Sequence, residues 1–366
     1  MTEKTAADTP TTVVGTSPDQ SLDLPTVPEE VTASWLSGVL GTKIKSIKLE
    51  KVVPGTATKL FVTVEYDETD KATLRPTHLC IKGGFNPALV EQMPWIVSIY
   101  QREVEFFNRI APTLDHMEIP KSWWAGHNSK QGIVIMDDLA AQGCTFGTVT
   151  EAWPVSDVRH ALDDLAALHA KTWGVTKEEL PWLTSDYDTA LLSLMETYEA
   201  VVNGPERPVI PDFLKDQKRI TAVLKKHYAS RNPRFTALTH ADGHISNTYR
   251  RDGKPHFLDW QMIHISSVFH DVAYFICGAL STEDRRQNEL SLVDHYLVTL
   301  KRLGGPSFSR DDKDVMEEYR KNILIGVGWL LCPETMQPLK NIVPMALRFA
   351  AALEDHKVLE LVESLP

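Results

Sequence analysis

A chain of 366 residues that is 43% hydrophobic and 24% charged has ordinary globular composition and enough apolar material for a large core, and its length points to about two domains. Its net charge of −11, from 38 basic against 49 acidic side chains, argues against broad binding to nucleic acid or to anionic membranes. No apolar run approaches the roughly 18 residues of a membrane-crossing helix, and the first thirty or so residues carry no apolar core of a secretory signal. The four cysteines, Cys80, Cys144, Cys277 and Cys332, are scattered, with no Cys-x-x-Cys pair. They read as buried free thiols, which makes a reducing compartment, the cytosol, the expectation.

Residues 1–28 are rich in Thr, Pro, Ser and Asp. Such a segment buries too little apolar surface to offset its ordering entropy, so it reads as a flexible tail. Val31, Trp35, Leu36, Val39 and Leu40 then share one helical stripe, which Gly41 ends. From Ile44 the period becomes two. Ile47 and Leu49 alternate with lysines; a small-residue turn at Gly55, Thr56, Ala57 and Thr58 follows; Leu60, Val62, Val64 and Tyr66 then alternate with Phe61, Thr63 and Glu65. That is strand, turn, strand, and 78–82 is a third strand ending at Lys82. Over 96–110, Ile99, Glu103, Phe106 and Ile110 share a helix face. Residues 132–136 form a short apolar strand that runs into Asp137, Asp138 and Leu139. Beyond this the periodicity is helical. One helix carries Val158, Leu162, Leu165, Leu168 and Trp173, with Ser156 or its neighbour as cap; amphipathic stretches follow at 189–202, 215–227, 289–303, 315–331 and 342–361. Strands first and helices later predict an α+β protein of two unlike lobes, 29–139 and 140–366.

The chemistry concentrates at 238–261. Asp242 is followed five residues on by Asn247, and Asp259 comes twelve residues later. Asp252-Gly253 between two short strand-like runs is a hairpin signal, and a hairpin brings Asn247 and Asp259 to one end. A base and two oxygen ligands there suit a Mg²⁺-nucleotide site, because Mg²⁺ takes one or two carboxylates plus substrate phosphates. Lys82 is placed to reach an α- or β-phosphate, with an acid of the next helix, Glu103, holding its ammonium. The turn of Gly55, Thr56 and Thr58 offers backbone N–H groups to phosphates. Each part is common alone, whereas the ordered set is specific. Five histidines, His240, His244, His256, His264 and His270, invite a zinc reading, but none lies in a His-Glu-x-x-His pattern. His240 is expected to buttress the loop, His169 to be a satisfied core histidine, and Asp271 to accept N–H bonds from the loop. Glu283 to Arg286 read as a solvated helix start. Among the aromatics, Trp260, Tyr274 and Trp329 are candidates for an acceptor pocket.

These residues carry a resemblance. His240-Ala241-Asp242-Gly243-His244-Ile245-Ser246-Asn247 resembles the catalytic loop of the aminoglycoside phosphotransferase and choline-kinase-like group of small-molecule kinases. Leu258-Asp259-Trp260-Gln261, with His270-Asp271-Val272-Ala273-Tyr274, is similar to that group's metal-binding segment and following helix. Leu165 to Trp173 looks like its Leu-His-Ala helix, and Met136-Asp137-Asp138-Leu139 like its hinge. The Trp-Gln pair after Asp259 resembles the ecdysteroid-kinase-like branch in particular.

The resemblance implies a two-lobed protein-kinase-like fold, with a small antiparallel β-rich N-lobe, a larger mainly helical C-lobe, and ATP and Mg²⁺ bound between them. It implies Asp242 as base or orienting group, Asn247 and Asp259 as Mg²⁺ ligands, and Lys82 and Glu103 on the phosphates. Asp137, Asp138 and Leu139 would offer backbone groups to adenine. The implied partner is a small hydroxylated acceptor, with neither nucleic acid nor membrane; the acceptor's identity and the oligomeric state stay open. The group's Gly before the catalytic Asp is Ala241 here. At φ > 0 an Ala costs roughly 1 kcal/mol or shifts the loop; at φ < 0 it is harmless. An inactive pseudokinase that binds nucleotide or metabolite is therefore the alternative. A protein kinase fits less well, because no Ala-Pro-Glu follows Asp259 and little chain separates it from Asp271.

Overall fold

The computed structural model describes residues 23–67, 75–183 and 187–366. Most of the expected tail, 1–22, lies outside them. The chain divides into two compact units, one made of residues up to Ile110 with Ser122–Met136, the other of Ala111–Lys121 with Asp137–Pro366. The division expected from sequence was at 139/140. Among the described residues no helix is long and apolar enough to cross a membrane, and all four cysteines are buried and outside any disulfide.

The first unit is an antiparallel sheet with helices. Its helix α1 (Ala33–Leu40) starts at Thr32, whose hydroxyl accepts from Trp35 N, and stops at Gly41, left-handed at φ 63°. Strands β1 (Ile44–Val53), β2 (Thr58–Tyr66) and β3 (His78–Gly83) follow, then α2 (Pro87–Gln92) and α3 (Ile96–Glu105), then β4 (Ser122–His127) and β5 (Gly132–Asp137). The sheet order is β1-β2-β3-β5-β4. Leu60, Val62 and Val64 are buried on one face of β2, as their alternation dictates. The helix face of Ile99, Glu103, Phe106 and Ile110 is buried throughout, although α3 widens into a π turn at Phe106–Ile110. Strand β4 has no period-two signal: all six residues are partly exposed at the sheet edge. It is held by tertiary packing, with Trp124 edge-on to Trp35 at 5.9 Å. The end of the expected tail joins this core too. Leu24 is buried, and the Pro25 carbonyl accepts from Gln131 Nε2 at 2.8 Å.

The second unit is mainly helical. It comprises β6 (Thr145–Phe146), α4 (Val155–Lys171), α5 (Tyr187–Leu194), α6 (Tyr198–Val202), α7 (Gln217–Ala229), β7 (Thr236–Thr239), β8 (Thr248–Arg251), β9 (Lys254–Phe257) and β10 (His264–Ser267). Then come α8 (Phe269–Ala279), α9 (Thr282–Arg302), α10 (Lys313–Asn322), α11 (Val327–Leu331), α12 (Leu339–Asp355) and α13 (Val358–Glu363). Three expected helices are each broken in two. Short 3₁₀ turns at Met195–Thr197 and Ile323–Gly326 split two of them, and left-handed Lys357 splits the third. A 3₁₀ turn keeps i and i+3 on one side, so the apolar stripe runs on through it and hides the break. The helix start at Glu283 to Arg286 is capped by Ser281, whose Oγ accepts from Asp284 N at 3.0 Å. It is not fully solvated, however: Arg285 is buried and paired with Glu289 at 2.8 Å and with Asp355.

Candidate active site

Strand β7 pairs antiparallel with β10, Thr239 facing His264. The chain between them makes a loop at 240–247 and the hairpin of β8 and β9. At the hairpin tip Asp252 and Gly253 have φ of 50° and 78°. Two left-handed residues are what a two-residue type I′ turn demands, and Asp-Gly supplies them. At its open end Leu258 N donates to Asn247 O at 2.8 Å, so the residue before Asp259 closes onto Asn247. Asp259 is itself left-handed at φ 67° and starts a 3₁₀ turn at Trp260.

The Asp242 side chain is one-third exposed. Asn247 Nδ2 donates to its Oδ2 at 3.0 Å and to its backbone carbonyl at 2.9 Å. Tyr274 Oη donates to Oδ1 at 3.3 Å, and His244 Nε2 lies 3.7 Å from the same oxygen. His244 Nδ1 accepts from Ser246 N at 3.2 Å, which leaves Nε2 as the protonated nitrogen. Burial pushes the His244 imidazole down to about 4, so it is neutral at ordinary pH. His240 buttresses the loop. Its Nε2 donates to Leu258 O at 2.9 Å, and its Nδ1 accepts from Asp242 N at 3.3 Å. One ring thus ties the residue next to Asp259 to Asp242.

Beneath the loop lies Asp271, fully buried on α8. Its Oδ2 accepts from His240 N at 2.7 Å and from His169 Nε2 at 3.1 Å; its Oδ1 accepts from Ala241 N at 2.8 Å. Burial alone raises this carboxyl, but the His169 hydrogen bond and the neighbouring imidazoles outweigh it and leave it at about 2. His169 Nδ1 takes its other bond from Tyr296 Oη at 2.9 Å, a satisfied core histidine. Asp271 is thus an anchor for the loop backbone. It holds Ala241 at φ 67°, the left-handed region, with the Ala241 carbonyl accepting from His270 Nε2 at 3.2 Å. The strained branch of the sequence expectation is therefore the one the fold adopts.

In the first unit, Lys82 of β3 donates to Glu103 of α3 at 2.8 Å, both side chains about 4% exposed. Gly55 and Thr56 are exposed between β1 and β2, while Thr58 is buried at the start of β2. Asp137 ends β5 and accepts from Gln142 Nε2 at 2.9 Å. Asp138 Oδ1 accepts from Ala140 N and Ala141 N, closing a turn, and Leu139 packs with Cys144 and Tyr249. Of the three aromatic candidates, Trp260 is fully buried, its ring 4.6 Å from that of His240. Tyr274 hydrogen-bonds Asp242, and Trp329 hydrogen-bonds Tyr274. Among the described residues no group of three His, Cys, Asp or Glu is placed to hold a metal.

The fold resembles that of the choline kinase LicA from Streptococcus pneumoniae, with a TM-score of 0.50 and 13% identity over 88% of this chain and 96% of that one. It also resembles a putative aminoglycoside phosphotransferase from Ralstonia eutropha, with a TM-score of 0.52 and 10% identity over 90% and 97%. An antiparallel sheet followed by a helical remainder, with these neighbours, defines a protein-kinase-like phosphotransferase fold. An uncharacterized kinase-like protein of Caenorhabditis elegans is 25% identical over 228 residues, 58% of this chain and 59% of that protein. The chain spans about half the length of the curated relatives it matches. Residues 56–304 match the ecdysteroid kinase-like family, and the chain belongs to that family.

Proposed function

We propose that the chain is an ATP- and Mg²⁺-dependent phosphotransferase that moves the γ-phosphoryl group of ATP to a hydroxyl of a small molecule. One observation carries the reading: the partly exposed Asp242 carboxylate is held from both sides, by Asn247 on Oδ2 and Tyr274 on Oδ1, beside a hairpin that ends at Asp259. The residues present fit a hard cation. Asn247 spends its Nδ2 on Asp242, and its Oδ1 has no hydrogen-bond partner among the described residues. One amide oxygen and the Asp259 carboxylate are the donor set that Mg²⁺ takes beside phosphates. When bound, Mg·ATP would supply the phosphoryl group and neutralise charge on its oxygens.

In this reading Asp242 orients the acceptor hydroxyl and takes its proton, which passes on to water. The acceptor oxygen forms the new bond to the γ-phosphorus, the bond to the β–γ bridging oxygen breaks, and ADP leaves. Lys82, held by Glu103, would contact the α- and β-phosphates, and the exposed turn at Gly55 and Thr56 would offer N–H groups to them. Backbone groups at Asp137 to Leu139 would meet the adenine. Phosphoryl transfer asks little of the protein beyond positioning and charge, so this short set suffices.

The test is an ATP-consumption screen against a library of hydroxylated metabolites, run with the wild type and with Asp242→Ala. Wild type should phosphorylate at least one class of alcohol, and the variant should lose at least about 100-fold in rate. Near-normal phosphorylation by a folded Asp242→Ala protein refutes the assignment. The left-handed Ala241 motivates a second reading, a pseudokinase. Mg²⁺-dependent ATP binding without turnover across the library would favour it.

A further inference from the structure

The hydrogen bonds around Asp242 continue into the helices behind it. Trp329 Nε1 on α11 donates to Tyr274 Oη at 2.8 Å, and Tyr274 Oη donates to Asp242 Oδ1 at 3.3 Å. The order of donors is fixed by chemistry. An indole N–H only donates and an ionised carboxylate only accepts, so the phenol must accept from Trp329 and turn its single hydrogen toward Asp242. Both rings are nearly buried, at 5% and 6% exposure. Tyr274 packs on Phe349 with ring centroids 5.7 Å apart, and Trp329 lies edge-on to His244 at 5.5 Å. Burial and the nearby Asp242 charge push the Tyr274 phenol well above its ordinary value, so its proton stays in place. Asn247 holds the other carboxylate oxygen at 3.0 Å. The carboxylate is thus held through both oxygens, and its side chain is one-third exposed.

We propose that Trp329 and Tyr274 form a relay that aims the Asp242 carboxylate at the acceptor hydroxyl, Tyr274 being a positioning residue and Trp329 the group that sets its hydroxyl direction. This rests on the function proposed above. Neither side chain takes the acceptor proton, because the Tyr274 hydrogen is already directed at Asp242. A residue that merely walled the pocket would act differently. It would change acceptor or ATP affinity, and its effect would not depend on the other ring.

The test is a double-mutant cycle on the full chain, reading ADP formation from Mg·ATP in water alone and with the pooled alcohol library. Tyr274→Phe keeps the ring and removes the donor. It should lower kcat about tenfold, a modest loss in keeping with a bond as long as 3.3 Å. KM for ATP should stay within about twofold, and the unfolding midpoint should fall modestly, because the buried Trp329 N–H loses its acceptor. Trp329→Phe should lower kcat about threefold by the same criterion, and the double variant should lose no more than Tyr274→Phe alone, since Trp329 acts through Tyr274. Additive losses, or a Tyr274→Phe kcat within twofold of wild type, overturn the relay. Should either variant misfold, Tyr274→Met and Trp329→Met, which also lack a donor and fill buried space with a flexible apolar chain, provide a second pair under the same criteria. Asp242→Asn is run beside them. If it turns over normally, the assignment of Asp242 fails; if it is inactive while Tyr274→Phe is fully active, the relay alone fails. A wild type that forms no ADP under either condition overturns both.

Discussion

Replacing Asp271 with Asn is the sharpest probe of how the loop is held. The carboxylate accepts three N–H groups, from His240, Ala241 and His169, at zero exposure. An amide has one acceptor oxygen, and its NH₂ must face at least one of those donors. One buried N–H is then orphaned, at about 1–3 kcal/mol, and the remaining bonds lose their charge assistance at about 1 kcal/mol each. The expected cost at pH 7 is about 3–5 kcal/mol. The carboxyl's depressed value of about 2 yields a second figure. An unfolded Asp titrates near 3.9, so the ionised form contributes about 2–3 kcal/mol. The sign follows: a depressed carboxyl stabilises fully above the unfolded value, and that contribution is lost as pH falls through about 2. Half of it, about 1 kcal/mol, should go between pH 5 and pH 3. Urea unfolding followed by tryptophan fluorescence at both pH values measures the gap between wild type and variant. A cost under about 1 kcal/mol at pH 7, or a gap that does not narrow at pH 3, would sink the idea that this one carboxylate secures the loop.

Two further outcomes are expected. Ala241→Gly relieves about 1–2 kcal/mol of left-handed strain, but a freer unfolded chain and a lost buried methyl offset most of it. Denaturant unfolding should find the net within about 1 kcal/mol of zero, whereas Ala241→Val should cost more than about 2 kcal/mol; a Gly variant that is strongly destabilised would contradict the forced backbone. Lys82→Met removes the buried ammonium that pairs with Glu103, at about 3–5 kcal/mol, and a Lys82→Met, Glu103→Leu double variant should recover much of that in thermal unfolding. Neither should bind ATP normally in a nucleotide titration, and normal binding by the double variant would remove Lys82 from the phosphates.

The residues that declare themselves in sequence do so through local rules. Asp252-Gly253 names its own turn, and that turn fixes the register that brings Leu258 against Asn247. The strand carrying Lys82 shows as a short apolar run, buried at every residue from Leu79 to Gly83, and the helix face carrying Glu103 follows from a period of 3.6. Tyr274 and Trp329 were legible only as aromatic candidates. Their roles depend on 32- and 55-residue separations that no local pattern encodes. Strand β4, a partly exposed edge, has no alternation to read. Arg285 is misjudged because burial of a charged side chain is decided by Asp355, which lies 70 residues away.

Helix α8 carries His270, Asp271 and Tyr274, and all eleven of its residues are buried. Such a helix has no solvent-facing side on which variation is harmless. Divergence within this chain must therefore go around it, through the exposed faces of α9 and α12, whose turns alternate between buried and open positions. The helix is also the place where a change made to alter the surroundings of Asp242 would disturb folding first, because the Asp271 anchor for the loop and the Tyr274 contact with Asp242 sit three residues apart on it.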